Sequence, residues 1–232
     1  MSETNSSPHS ILAILASETL LAFALFVAWI AALIDLSSFT LALLVVASLV
    51  IVTGAMAEDG FADVADGFFG GHTAERRLEI MADSRVGAFG VVALILALGV
   101  KASSFATLFD HHGVMALSAA ILVSGALSRV AGILPLVFLP PVRPGGRSAS
   151  VGRPSVVVTT IAVVTVLSLG ALILFFGGIP PRGISAGLLL GFASVFPILV
   201  LAQSKIGGQT GDVAGATQQV AEIVFLIALS VA

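Results

Sequence analysis

The residues best suited to chemistry form one acidic stretch, EDGFADVADG at positions 58–67. It follows an apolar run, TLALLVVASLVIVTGAMA, that is long enough to cross a bilayer. If the stretch is helical, Asp59, Asp63 and Asp66 stand at i, i+4 and i+7, within a sector of roughly 60°. Three carboxylates on one face repel one another, and their pKa values rise unless a cation lies among them. The spacing therefore predicts a site for a divalent ion.

Magnesium suits such a face, because it takes oxygen ligands in octahedral geometry, commonly one or two carboxylates with water and substrate phosphate. Gly60 and Gly67 carry no side chains and would let a bulky phosphate ester approach the acids. The alternative is a solvated acidic loop, the ordinary role of a run of acids. Helical spacing and a second charged block nearby favour the metal site.

That second block is ERRLEIMADSR at positions 75–85. Leu78 and Met81 form an apolar i, i+3 pair, which is typical of an amphipathic helix at a membrane interface. One interpretation is an interfacial anchor. The other is a phosphate clamp, in which Arg85 and the neighbouring arginines hold phosphate oxygens while Asp83 adds a ligand or orients an arginine.

A third stretch, KIGGQTGDVAGA at 205–216, contains four glycines before the last apolar segment. Backbone N–H groups at such a helix start can cradle an anion. The stretch lacks the GK[ST] ending of a nucleotide-binding P-loop, so a phosphate site here needs another geometry. Lys205, Gln209 and Asp212 add a cation, an amide and a further acid.

These stretches belong to a membrane protein. The mean hydropathy is +1.14, with 58% hydrophobic and 10% charged residues in a chain of 232, which excludes an ordinary soluble domain. The chain has no cysteine, which excludes disulfides and thiolate metal sites. A net charge of −3 argues against a nucleic-acid partner, which would require clustered Lys and Arg.

Each span needs about 20 apolar residues in helical form, because lipid offers no partners to backbone polar groups. This criterion predicts an all-α, polytopic protein in one domain over residues 1–232. The first span has no clear cleavage site and is expected to remain in the mature protein. About seven spans are predicted, near 11–34, 39–57, 87–105, 113–139, 155–176, 184–202 and 216–231.

Lysine and arginine are retained on the cytoplasmic side of short loops, so their distribution predicts orientation. With seven spans, the polar stretches 58–86, 140–154 and 203–215 share one face, predicted to be cytoplasmic together with the N-terminus. Lys101 is expected near the opposite membrane boundary. Arg129 falls within the fourth span, where it could pair with Glu222 or bind substrate. The cations of the cytoplasmic face are Arg76, Arg77, Arg85, Arg143, Arg147, Arg153 and Lys205.

The strings EDGFADVADG, RRLEIMADSRVGAFG and KIGGQTGDVAGA together, in this order, resemble the cobalamin synthase family, whose members are adenosylcobinamide-GDP ribazoletransferases. ALSR at 126–129 and AEIVFLIAL at 221–229 also resemble family sequence. The similarity runs from about residue 50 to the C-terminus, whereas the first 40 or so residues match poorly. The resemblance implies a magnesium-dependent enzyme of the prokaryotic inner membrane, with cytoplasmic active-site loops.

The implied reaction is the last assembly step of vitamin B12, in which α-ribazole or its 5′-phosphate displaces GMP from adenosylcobinamide-GDP. Besides these substrates and the lipid bilayer, other late cobalamin-pathway enzymes and a second copy of the chain are candidate partners. On this basis Asp59, Asp63 and Asp66 bind magnesium, with Asp83 as a supporting ligand, and Asp212 binds metal or positions the attacking hydroxyl. The residues assigned to substrate and phosphate are Arg85, Arg129, Lys205, Gly207, Gly208 and Gln209.

The chain departs from the family at one position. Relatives carry a histidine two residues before the first aspartate of the acidic stretch, and this chain has Ala57 there. If that histidine is a general base or a phosphate contact, the substitution predicts a slow or inactive enzyme. If this lineage works without it, activity is retained.

Two other functions match parts of the sequence. The CDP-alcohol phosphotransferases also displace a nucleoside monophosphate with helix-borne aspartates, but they have Arg after DGxxA where this chain reads DGFAD. A transporter could use Arg129 and Glu222 along a translocation path, which would predict inverted repeats and acids at the midplane. No repeat is found, and the acids gather on one side.

Overall fold

The structure, a computed structural model, describes residues 22–142 and 152–231. Residues 11–21 of the first predicted span, together with Arg143 and Arg147, lie outside this part of the chain. The described residues confirm the all-α class, with no β-structure beyond one isolated bridge between Pro141 and Gln209. The helices are α1 Ala22–Leu33, α2 Ser38–Thr53, α3 Met56–Gly70, α4 Ala74–Ile80, α5 Ala88–Phe138, α6 Val156–Phe176, α7 Pro181–Ala193, α8 Val195–Ile206 and α9 Gly211–Ser230.

A sharp bend separates the apolar helix α2 from the acidic helix α3. Gly54, at φ +64°, ends α2, and Ala55 is also left-handed at φ +55°. The two helices consequently diverge by 91°. Glycine adopts the first of these conformations without steric cost, which suits it to the turn. The acidic stretch is helical, as predicted, and the bend carries it away from the direction of α2.

Helix α5 is a hairpin whose two arms meet at Gly113. A straight helix of 51 residues would be about 75 Å long, more than twice the hydrocarbon thickness of a bilayer. Gly113 breaks it with φ +76° and ψ −175°. Lys101 and Ile121 line the same cavity, although a straight helix would separate them by about 30 Å. The arms therefore fold back on each other and account for the predicted segments 87–105 and 113–139.

Helix α9 is the centre of the bundle and packs against α3, α5 and α7. Its Phe225 and Leu229 are fully buried. Helix α6 is peripheral, since only 17% of its most apolar window is buried against 67% for α9. Val157, Ile161 and Phe176 of α6 are more than half exposed, as suits side chains that face lipid.

Several of these helices can span a membrane. In the described residues four are long and apolar enough, or five if α2 and α3 form one bent span. Helices α7 and α8 together count as one of the four, covering Pro181–Ile206. The chain is thus a multi-helix membrane protein, and the predicted number of seven spans stays a prediction.

Candidate functional site

The acidic helix α3 crosses the start of α9 in close contact. A β-carbon added to Gly60 would stand 2.9 Å from the carbonyl oxygen of Asp212 and 3.0 Å from its Cα. At Gly215 an added β-carbon would stand 3.3 Å from the Cα of Ala57. Because a side chain at position 60 would separate the helices, this glycine brings the α3 turn that carries Asp59 and Asp63 to Asp212. Asp59 is exposed, and Asp63 and Asp212 are half-buried.

Asp66, the third acid of the predicted face, caps another helix. Its carboxylate accepts hydrogen bonds from the backbone N–H of Gly87, at 2.6 Å, and of Gly90, at 2.9 Å. These groups belong to the first turn of α5, where unpaired N–H groups and the helix dipole favour a negative charge. Both oxygens of Asp66 are therefore engaged inside the protein, and the residue is buried.

Asp83 forms an ion pair with Arg85 in the turn after α4. The Arg85 guanidinium donates from Nη2 to Oδ2 at 2.6 Å and from Nε to Oδ1 at 3.0 Å. These hydrogen bonds lower the pKa of Asp83 from 3.8 to about 2. The pair lies in a shallow depression of about 380 Å³, which Asp66, Arg76 and Glu79 also line.

The structure does not assemble the predicted magnesium ligands at one point. Within residues 22–142 and 152–231, no three His, Cys, Asp or Glu side chains are placed to hold a metal ion together. Asp66 and Asp83 are directed instead to a helix terminus and to an arginine. Asp59 and Asp63 are the two predicted ligands that remain beside Asp212. Magnesium itself stays a prediction.

The glycine-rich turn is shaped by contacts within the protein. Gly207, at φ +78°, ends α8, and its N–H donates to the carbonyl of Gln203 at 3.1 Å. The N–H of Gln209 donates to the carbonyl of Pro140 at 2.9 Å. A β-carbon on Gly208 would stand 2.2 Å from that same Pro140 oxygen, so only glycine fits. Two amides of the predicted anion cradle are therefore already engaged, that of Gly207 within α8 and that of Gln209 with Pro140.

Side chains around this turn bring the three polar stretches together. Arg77 donates from Nη1 to the carbonyl of Lys205 at 2.9 Å, which joins α4 to the end of α8. Met81 is buried against Ile206 in a small apolar cluster. Among the described residues, Gln209 Oε1 and Arg77 Nε are buried without a hydrogen-bond partner. Two orphaned polar atoms thus lie beside the turn.

A separate charged network lies deep in the bundle. The ammonium of Lys101 lies 2.9 Å from Glu222 Oε2 and 3.6 Å from Glu58 Oε1, and the lysine is only 2% exposed. Gln219 donates from Nε2 to Glu58 Oε1 at 2.9 Å. Lys101 was expected near the membrane boundary opposite the acidic stretch, but it contacts Glu58 of that stretch and is buried between the two carboxylates.

Arg129 lines the cavity beside this network. Its Nη1 donates to the carbonyl of Gly125 in its own helix, at 2.9 Å, and the described ion pair of Glu222 is with Lys101. The proposed pairing of Arg129 with Glu222 is therefore replaced by the lysine. Arg129 also lies in a different cavity from the depression of Asp83 and Arg85.

Three of these residues were missed from sequence: Glu58, Lys101 and Gln219. Glu58 belongs to the acidic stretch, but only the three aspartates were assigned a role. The signal for Lys101 was present, since a lone cation within an apolar run requires a partner. Its partners lie 43 and 121 positions away, and sequence pattern gives no distance over such separations.

The chain matches a known protein family over almost its whole length. The family described as CobS, cobalamin-5-phosphate synthase, matches residues 8–230. The match extends toward the N-terminus beyond residue 50, where the resemblance was expected to begin. No solved structure matches the chain.

Relatives named adenosylcobinamide-GDP ribazoletransferase share about two residues in five with this chain. The protein of a Sinorhizobium species is 42% identical over 197 residues, which are 85% of this chain and 75% of the relative. That of Azorhizobium caulinodans is 43% identical over 202 residues, 84% and 73% of the two chains. That of Brucella anthropi is 38% identical over 208 residues, 86% and 76%.

Proposed function

The chain belongs to the cobalamin-5-phosphate synthase family, and we propose that it transfers the cobinamide phosphate of adenosylcobinamide-GDP to α-ribazole or its 5′-phosphate. A ribose hydroxyl of the acceptor attacks the phosphorus that is bonded to cobinamide. A new P–O bond forms, the bond to GMP breaks, and the hydroxyl proton is released. The products are adenosylcobalamin, or its 5′-phosphate, and GMP. This is the final assembly step of cobalamin biosynthesis.

The contact between Gly60 and Asp212 is the observation that carries this proposal. It joins the acidic helix to the glycine-rich turn, two stretches 152 positions apart that both resemble the family. Transfer between phosphates requires neutralised charge and an aligned attack, and it needs no covalent intermediate on the protein. Acids, a cation and an amide around one helix crossing are suited to that task.

Asp59 and Asp63 are the proposed magnesium ligands, with Asp212 beside them. This donor set fits the ion, because magnesium commonly takes one or two carboxylates and completes its shell with water and phosphate. When bound, the ion neutralises charge on the diphosphate. Asp66 and Asp83 are assigned supporting roles, since their oxygens are engaged by α5 and by Arg85.

Lys205 and Gln209 are the proposed phosphate contacts. Both lie at the turn that closes on residues 140–142, and the orphaned Oε1 of Gln209 calls for a ligand or a water there. The amide oxygen and nitrogen of glutamine can exchange places, so the same side chain can donate to a phosphate oxygen. Arg85 is also assigned to the substrate, and its 86% exposed side chain in the depression beside Asp83 supports this assignment.

The other candidate functions receive less support. The family match argues against a CDP-alcohol phosphotransferase. A transporter is disfavoured because the sequence shows no inverted repeat and Lys101 is held between Glu58 and Glu222. We further propose that the protein lies in the prokaryotic inner membrane with its N-terminus and active site facing the cytoplasm. The concentration of cations in the three polar stretches supports this orientation.

A reconstituted assay tests the function. Purified protein is incubated with adenosylcobinamide-GDP, α-ribazole and magnesium, and the products are separated. We expect GMP and complete corrinoid in equal amounts, and neither when α-ribazole is omitted. A parallel reaction with a CDP-alcohol substrate serves as the specificity control. Release of CMP from that substrate, without corrinoid formation from the first, would contradict the proposal.

A further inference from the structure

A cavity of about 320 Å³ lies inside the bundle beside the buried charges. Glu58, Lys101, Arg129, Gln218, Gln219 and Glu222 supply its polar lining, and Leu49 and Ile121 are among its apolar residues. Met56, which is 69% exposed, stands at its rim, so the cavity opens near the bend between α2 and α3. Its volume is at the lower end of the range found for small-molecule sites.

Among the described residues of this lining, one buried carboxylate oxygen has no hydrogen-bond partner. Glu58 is 93% buried, and its Oε1 accepts from Gln219 and faces Lys101, but its Oε2 has no hydrogen bond within the described residues. Leaving a buried carboxylate oxygen unpaired is costly, and such atoms call for a ligand or ordered water. An acceptor in this position requires a hydrogen-bond donor.

The charges around the cavity select the type of donor. Two carboxylates, Glu58 and Glu222, face two cations, Lys101 and Arg129, so the lining is neutral as a whole. Because the two signs cancel, a metal ion or a phosphate would incur two penalties, loss of hydration and repulsion by the like charges, without a net attraction to offset them. A neutral group that offers O–H or N–H donors meets neither penalty.

From these observations we propose that the cavity binds the uncharged nucleoside portion of a substrate, whose hydroxyl or ring N–H donates to Glu58 Oε2. The proposal rests on the proposed function and adds to it a site separate from the magnesium ligands. The cavity is far too small for a corrin ring with its side chains, but its size suits a sugar with its base. Glu58 directly precedes Asp59, so a nucleoside held there would reach the α3–α9 crossing.

Two nucleosides offer this chemistry, α-ribazole and guanosine, and a binding experiment separates them. The full chain in detergent is dialysed against each nucleoside alone, with EDTA in place of magnesium. We expect one nucleoside to bind without metal, since no carboxylate of the metal site is involved. The nucleoside that binds identifies the source. If neither binds up to its solubility limit, the proposal is overturned.

Glu58→Gln tests the acceptor oxygen. It should weaken nucleoside binding by about tenfold to a hundredfold, the effect expected when a hydrogen bond to a charged group is lost. Glu75→Gln is the matched control, because Glu75 is an exposed carboxylate on α4 that lines neither cavity. Equal affinity for the wild type and a folded Glu58→Gln variant contradicts the role of Oε2.

Ala57→Phe tests the cavity without altering the charges. Ala57 lines the same space, so a phenyl ring there, which is larger than imidazole and makes no hydrogen bonds, should abolish nucleoside binding while leaving the ion pairs of Lys101 in place. This variant decides the outcome if Glu58→Gln fails to fold. Unchanged binding in folded Ala57→Phe overturns the proposal. Corrinoid turnover is measured separately, so that loss of the enzymatic function and loss of the nucleoside site give different results.

Discussion

The ammonium nitrogen of Lys101 lies 2.9 Å from Glu222 Oε2, in a part of the bundle where the lysine is 2% exposed. Glu58 lies 3.6 Å from the same nitrogen, so the second arm of the ion pair comes from α3. The three helices α3, α5 and α9 are therefore joined by charge as well as by apolar contact. Glu58 is also the neighbour of Asp59, which links this network to the proposed metal site.

Lys101→Met should destabilise the protein strongly. Removal of the cation leaves two buried carboxylates without their partner, and breaking a buried pair in this way costs about 3–5 kcal/mol. Chemical unfolding in detergent measures the loss. The control is the same substitution in a Glu58→Gln and Glu222→Gln background, where it should cost much less. An equal cost in both backgrounds would show that the lysine stabilises the bundle by packing alone.

Asp63→Asn should abolish magnesium-dependent GMP release and leave the protein folded. The substitution keeps the shape of the side chain but removes the charge that would hold the ion. Asp35→Asn serves as control, since Asp35 is exposed in a turn at φ +55°, a conformation that asparagine also tolerates. Turnover is followed as GMP produced. Retained turnover in Asp63→Asn removes this residue from the metal site.

Asp66→Asn should lower stability by about 0.5–2 kcal/mol, the usual cost of losing a helix cap. The carboxylate accepts from Gly87 and Gly90 at the start of α5, and asparagine lacks the charge that favours that terminus. The loss should be equal in magnesium and in EDTA. Thermal unfolding in the two buffers makes the comparison. A loss seen only with magnesium would restore Asp66 to the ligand set.

Ala57→His should raise turnover if the histidine of the relatives is catalytic. Position 57 lines the cavity next to Glu58, where an imidazole could accept the proton of an attacking hydroxyl. General acid–base catalysis contributes about a hundredfold or more. Ala57→Leu adds similar bulk without ring nitrogens and should not raise kcat. If the histidine variant is no faster than the wild type, this lineage works without that group.

The Asp83–Arg85 pair should be insensitive to pH near neutrality. Hydrogen bonds from Arg85 lower the pKa of Asp83 to about 2, below its ordinary value of 3.8. Its contribution to stability is therefore present above the unfolded pKa and disappears as the pH falls through the folded one. Asp83→Asn should therefore change the enzymatic rate by the same factor at every pH above about 5, and the pH dependence of the rate should stay the same. If the wild-type rate changes with pH near neutrality and this change is lost in Asp83→Asn, the low pKa assigned to Asp83 is wrong.

The local features of this protein could be predicted from sequence. Hydropathy determined the helical membrane class, and the i, i+4, i+7 spacing of Asp59, Asp63 and Asp66 correctly placed them on one helix, Met56–Gly70. The glycine-rich stretch 205–216 was correctly placed at the start of the last helix, which begins within it at Gly211. These features depend on residues within a turn or two of one another, and the repeat of the helix translates that spacing into geometry.

The groups that each carboxylate contacts could not be predicted from such local spacing. Asp66 and Asp63 are equivalent in pattern, yet the tertiary structure directs Asp66 to the N–H groups of α5, because Gly87 and Gly90 leave room for its carboxylate. Lys101 is another example, since its position in an apolar run does not reveal Glu58 and Glu222. Partners so distant in sequence are selected by how the helices cross. The sequence by itself determined which helices form and which charges they carry, and only the packing of those helices decided which charges meet.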